Sequence, residues 1–238
     1  MATVPHDIHA LDDPDYPSSD GKPMADNTKQ YRWIVAVQGG LAAQYVNDPN
    51  VLVVGDLLWY PVEGNNKIRA APDAMVIFGR PKGDRGSYIQ YREEGIAPRV
   101  AFEILSPGNR PAEMRRKLAF SEQYGIREYY VLDPDHARHK GYLRSAAGKL
   151  EPIANLFGWD SPLLGIRFEM TRDLVLIGTD GLPFEFYEVE AARRRDELWA
   201  RQAAEQRADA ERLDRQAAEQ ENERLRSKLR ALGFDPDA

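Results

Sequence analysis

Two short apolar runs with a helical stretch between them constrain this chain more than any other feature. Residues 99–105, RVAFEIL, have the length and the nearly unbroken apolar character of a strand buried on both faces. Ser106 and Pro107 stop it. Residues 111–124 read as a helix, with Pro111 suited to the first turn and Gly125 to the stop. Residues 127–134, REYYVLDP, then repeat the strand character. A strand–helix–strand order predicts two parallel neighbours joined by a right-handed crossover, and hence an α/β fold.

The flanks turn that unit into a mixed central sheet flanked by helices. Asn27 or Thr28 can cap a helix over 28–46, whose apolar face carries Ile34, Val35, Leu41 and Tyr45, although Gly39 and Gly40 weaken its middle. Residues 51–62, VLVVGDLLWYPV, read as a strand, and a Gly64-Asn65-Asn66 turn leads to a second strand after Pro72, so the two form a hairpin. Residues 80–95 show no periodicity and read as a loop. Further hairpin-like pieces cover 138–145, 149–153 and 165–177.

Both ends differ from this body. Residues 1–27, rich in Pro, Asp and Ser, read as a loose arm; the α/β domain follows over 28–187. From 188 to 232 there is neither Gly nor Pro, which predicts a long charged helix in 188–238, ended by Gly233 and Pro236. Asn222, Leu225, Leu229 and Leu232 fall on a and d positions, but the heptads fade upstream. A dimerising coiled coil, hence a homodimer, and a solvated or docking helix both remain open.

Composition narrows the function classes. No apolar run approaches the roughly 20 residues of a membrane span, and the acidic start MATVPHDIHALDDPD lacks the features of a signal peptide, so a cytoplasmic protein is expected. The absence of cysteine excludes disulfides, zinc ribbons and thiol catalysis. The net charge is −6; the stretch 188–232 is balanced, with 11 basic and 11 acidic residues, while the body 1–187 holds 21 basic against 25 acidic and so carries most of the deficit. Contact with nucleic acid must therefore use a local basic groove.

Within the body, Asp73 follows Pro72 at the start of an apolar strand, and Glu103 sits inside VAFEIL. An ionised carboxylate in such a place is costly unless it is paired or ligates a metal, and two together raise one pKa unless a cation lies between them. Hard oxygen ligands select Mg²⁺ or Mn²⁺. Lys117, on the helix after the Glu103 strand, can add a positive charge, which completes the parts of a phosphodiester hydrolase. The structural alternative is that Arg99, Arg110 or Lys117 simply neutralises a buried Glu103. Asp56 can face the same cleft, and Gln38 and Gln44 can hold a water. His136 and His139 read as a solvated loop, and Tyr124 as a packing residue.

The strings PDAMVIFG, VAFEILSPGNR and GIREYYVLDP, with Lys117 and Tyr124 on the helix between the last two, resemble the Uma2 family of endonucleases, within the PD-(D/E)XK restriction-endonuclease-like superfamily. The resemblance covers roughly 16–177. It implies a restriction-endonuclease-like fold, Asp73 and Glu103 as metal ligands with the backbone carbonyl of Ile104 as a third, a Mg²⁺ or Mn²⁺ cofactor and DNA as substrate. Leu105 stands where the superfamily motif has lysine, and the family's lysine from the next helix points to Lys117. Arg80, Lys82, Arg85, Arg92 and Arg99, in or beside the 80–99 loop, form the expected DNA-binding edge. Two functions follow: a metal-dependent DNA endonuclease, or a catalytically inactive nuclease-fold module that binds DNA or protein and dimerises through its C-terminal helix.

Overall fold

Alternation along the central strands decides which side chains meet which helix. The computed structural model describes residues 13–21, 23–171 and 173–232. In chain order it contains α1 (Thr28–Gln44), β1 (Val51–Val54), β2 (Trp59–Tyr60), β3 (Ala74–Phe78), β4 (Tyr88–Ile89), β5 (Val100–Ile104), α2 (Pro111–Tyr124), β6 (Glu128–Leu132), β7 (Lys140–Arg144), β8 (Leu150–Pro152), β9 (Trp159–Asp160), β10 (Arg167–Met170), β11 (Leu174–Ile177) and α3 (Tyr187–Ala231). Two compact units result, Met1–Tyr187 and Glu188–Ala238.

A six-stranded sheet in the order β1-β3-β5-β6-β7-β8 forms the centre of the first unit. Its β5 and β6 run parallel, joined through α2 as the strand–helix–strand pattern predicts, and the other neighbours are antiparallel. Val100, Phe102 and Ile104 of β5 point to one face, where they pack with Ile34, Val37 and Leu41 of α1 and with apolar side chains of the three-stranded sheet β11-β10-β9. Ala101 of β5, Met75 and Ile77 of β3, and Tyr129 and Val131 of β6 point to the other face, against Met114, Leu118 and Phe120 of α2. With both faces covered, every residue of β5 and β6 is buried. The period-two pleat therefore places Glu103 on the α2 face.

Local chemistry fixes the helix ends. The Asn27 side chain accepts from the Gln30 N–H to start α1. Pro111 opens α2, and Gly125 closes it in the left-handed region at φ 104°. Gly40 does not break α1. A Cβ there would come within 2.3 Å of the Phe184 ring, so the missing side chain is the space into which that ring packs.

Several expectations need correction. The strand expected over 51–62 is interrupted after Val54, because Asp56 adopts φ 46° and turns the chain; β2 then pairs in parallel with β4, a two-residue strand inside the expected loop. The first strand still pairs antiparallel with β3, as the hairpin reading requires. The arm is not loose from Asp13 onward. Tyr16 is buried edge-on against Tyr60, and Asp13 forms an ion pair with Arg92. Residues 1–12, Gly233 and Pro236, and the side chain of Leu229, lie outside the described residues.

In the second unit, α3 is a solvated helix laced by pairs such as Glu190–Arg194, Arg201–Glu205 and Arg215–Glu219. Each pair contributes a few tenths of a kcal/mol. Leu198, Trp199, Leu213 and Leu225 are exposed along it. Among the described residues no helix is long and apolar enough to cross a membrane.

Candidate active site

The antiparallel register of β3 and β5 pairs Ala74 with Phe102. One step further along that register, Asp73 comes beside Glu103 at the end of the two strands. Both are buried. The Ile104 N–H donates to Asp73 Oδ2 at 2.5 Å, so the strand that carries Glu103 also fixes Asp73. From α2, Lys117 Nζ reaches Glu103 Oε2 at 2.6 Å. The three residues singled out by sequence are thus brought together.

Burial dominates the electrostatics. It pushes the Asp73 carboxyl up to about 6, with Lys117 and the Ile104 N–H opposing and Asp56 and Asp26 adding to the rise. It pushes Glu103 up to about 8, again against the pull of Lys117 and with Asp73 raising it further. For Lys117, burial works against the charge, but Glu103 and Asp73 outweigh it and hold the ammonium above its ordinary range. Lys117 is therefore a fixed cation at neutral pH and not a proton acceptor. One ammonium between two carboxyls leaves both above their ordinary range, a local deficit of positive charge.

Sequence reasoning missed Gln30. Its Nε2 donates to the Ile104 carbonyl at 2.8 Å and its Oε1 accepts from the Asp26 N–H at 2.8 Å. The signal was available: Gln30 continues the buried stripe of Ile34, Val37 and Leu41 by one turn, so a polar side chain occupies a core position of α1. Gln44 instead binds the Leu164 carbonyl and the Thr179 N–H, and Gln38 packs near Gly55, away from Asp73's cleft.

At Asp73 opens a cleft of about 870 Å³, lined among others by Asp73, Lys117, Gln30, Asp56, Arg69 and Arg116; Glu103 lies behind Lys117 and does not line it. Asp56 faces it from the turn after β1 rather than from a strand, with its carboxyl raised by burial and by Asp20. Asp20, Asp26 and Glu113 make the rest of the rim acidic. Among the described residues no three His, Asp or Glu side chains group closely enough to cage a metal.

The expected DNA-binding edge is otherwise employed. Arg80 and Arg85 are buried, and Glu93 binds both, at 2.8 and 2.5 Å. Arg92 is paired with Asp13. Lys82 donates to the Tyr45 and Val51 carbonyls, and Arg99 is exposed, with no side-chain hydrogen bond or ion pair among the described residues. None of them lines the cleft, whose own cations are Arg69, Arg116 and Lys117. His136 bonds Asp133 on an exposed turn and Tyr124 packs on Trp59 and Phe120, as expected, whereas His139 is not a solvated loop residue: it is half-buried, and its Nδ1 accepts from the Asp133 N–H.

The first unit is thus a mixed sheet flanked by helices, with Asp73, Glu103 and Lys117 gathered at the end of its central strands. The chain belongs to the Uma2 family, whose model, described as "Putative restriction endonuclease", matches residues 19–174. Among solved structures, a "putative nuclease belonging to DUF820" from Anabaena variabilis is 16% identical, over 61% of this chain and 79% of that chain, at a TM-score of 0.43. No curated protein matches the chain.

Proposed function

We propose that this protein is a divalent-metal-dependent endonuclease that hydrolyses phosphodiester bonds in DNA. In this reading Asp73, Glu103 and the Ile104 carbonyl hold the ion, and Lys117 assists. The observation that carries it is the convergence of two buried carboxylates, both pushed up by burial, on a single lysine. The donor set fits a hard ion. It offers carboxylate and carbonyl oxygen with no sulfur or imidazole, and the Ile104 oxygen keeps a second lone pair after accepting from Gln30. Bound Mg²⁺ or Mn²⁺ supplies charge that polarises the phosphate and acidifies a water.

The chain's own groups do the rest. The Ile104 N–H holds one Asp73 oxygen in place, which orients the other. Gln30 fixes the direction of the Ile104 carbonyl from α1. Lys117, permanently charged, orients a water or offsets charge building on the phosphate oxygens. Arg69 and Arg116, on the cleft rim, take the phosphate-contacting role once expected of the 80–99 loop. Exposed Leu225, on a d position of α3, supports pairing of two copies through that helix.

The test is nicking of plasmid DNA in Mg²⁺ or Mn²⁺. Asp73→Asn and Glu103→Gln should each lower the rate about 100-fold or more, a loss of transition-state stabilisation of roughly 3 kcal/mol, while circular dichroism shows both folded. Variants that cut as fast as the parent would overturn the assignment. A second reading, an inactive nuclease-fold module that binds DNA or protein, draws on the Lys117–Glu103 contact, which already neutralises the buried Glu103 without an ion. Calorimetric titration with Mn²⁺ separates the two. An endonuclease site takes up the ion at millimolar concentration or below and loses it in Asp73→Asn, whereas the inactive module takes up none.

A further inference from the structure

The cleft over Asp73 has a neighbour. A second cavity, of about 500 Å³, lies beside it, and Pro107 and Asn109 line both. Its apolar lining comes from Leu105, Met114, Leu118, Val131 and the rings of Tyr129 and Tyr142. The Tyr129 hydroxyl is buried with no hydrogen-bond partner among the described residues, close enough to Glu103 and Asp73 for their charges to act on it. A buried donor left unpaired costs on the order of 1–3 kcal/mol, which marks it as a group kept for something else.

The cavity's polar lining is cationic in effect. Arg115, Arg138 and Lys140 line it and are exposed, with no ion pair among the described residues. The acids beside them are already engaged. Asp133 accepts from the backbone of Asp135 and His136 and meets the His136 ring, and Asp135 is paired with Lys29 at 2.7 Å. An apolar, aromatic floor with a free cationic rim matches one class of ligand, a flat heteroaromatic ring that carries a phosphate. The volume falls within the roughly 300–1,000 Å³ of small-molecule sites.

Resting on the nuclease reading above, we propose that this cavity is a nucleotide subsite. It receives one unpaired nucleotide of the strand whose phosphodiester lies in the Asp73 cleft, with the base against the tyrosine floor and its phosphate on Arg138 and Lys140. The loop that carries Pro107 and Asn109 separates the two positions, so a strand crossing it reaches both. Extruding a base from the duplex requires such a receptacle, because the unstacked ring needs a new apolar partner.

The experiment titrates the full chain with thymidine 5′-monophosphate in EDTA, followed by NMR. The parent and Asp73→Asn should bind with the same affinity. Arg138→Ala/Lys140→Ala, which alters only exposed side chains, should bind about tenfold more weakly or worse, as should Tyr142→Ala. Thymidine and inorganic phosphate should each bind the parent at least roughly tenfold more weakly than the nucleotide. The subsite is overturned by any of three results: no saturable binding, equal affinity in the double variant, or inorganic phosphate binding as tightly as the nucleotide. Loss of binding in Asp73→Asn would also overturn it, by moving the ligand into the first cleft. Because the titration omits divalent ions, its outcome is independent of cleavage. A plasmid left uncut with this binding pattern intact sinks the nuclease reading alone.

Discussion

Lys117 and Glu103 stand 14 residues apart in sequence and 2.6 Å apart in the fold, and the contact sets two expectations. Lys117 occupies an oxygen that a metal ligand would offer, so Lys117→Gln should bind Mn²⁺ at least as tightly as the parent while its cleavage rate falls about 100-fold or more. Calorimetry beside a nicking assay reads both, and parallel loss of binding and cleavage would show that the lysine builds the ion site instead. The second expectation concerns pH. An acid whose folded pKa lies above its unfolded value stabilises the fold most while protonated. The contribution of Glu103 is thus full below its ordinary 4.5, declines as pH rises and is gone by about 8. Urea unfolding in EDTA should therefore show the parent losing stability relative to Glu103→Gln across that window, and added Mg²⁺ restoring it at the upper end; a difference flat with pH would contradict the burial argument. Asp73 and Glu103 were legible because charged residues in apolar strings stand out, whereas Lys117, one of several basic residues on α2, was singled out by the family resemblance. Gln30 and the engagement of Arg80 and Arg85 were not, since the partners of all three are set by tertiary contacts: Ile104 lies 74 residues from Gln30, and Glu93 reaches both arginines across a loop.

Punctuation decided which elements could be read in advance. Proline opens α2 and glycine closes it, so its bounds match the expected 111–124. The two-residue strands β2 and β4 have no period to detect, and the turn at Asp56 uses a positive φ that its residue type tolerates but does not announce. Gly40 shows where a propensity argument alone fails. Alanine there gains about 1 kcal/mol of helix propensity but drives a methyl group into the Phe184 ring, and overpacking costs roughly 1–3 kcal/mol. Gly40→Ala should therefore be less stable than the parent in thermal unfolding, whereas in a Phe184→Ala background the same change should stabilise. If it stabilises in both, the ring does not set the residue.

At the scale of the whole molecule, the charge of −6 and the acidic rim of the cleft work together. On the proposed reading such a rim draws divalent cations towards Asp73, while Arg69 and Arg116 are left to meet phosphate. The composition of 188–232 foretold α3 without telling what it binds, because its exposed Leu213 and Leu225 find their partner outside the chain if they find one at all. If α3 pairs two copies, the full chain sediments as a dimer and a chain ending at Tyr187 as a monomer. A dimer that survives the truncation would place the contact on the first unit.

One consequence of α2 concerns control. Glu113, Arg116 and Lys117 line one cavity, and Met114, Arg115 and Leu118 line the other, so α2 and the loop of Pro107 and Asn109 before it together form the partition. Met114 and Leu118, three residues before and one after Lys117, face the far chamber, so bulk added at either bears on the helix that holds the Glu103 contact. Leu105, apolar at the end of β5, belongs to the far chamber's lining, while the cation of the near one comes from the helix.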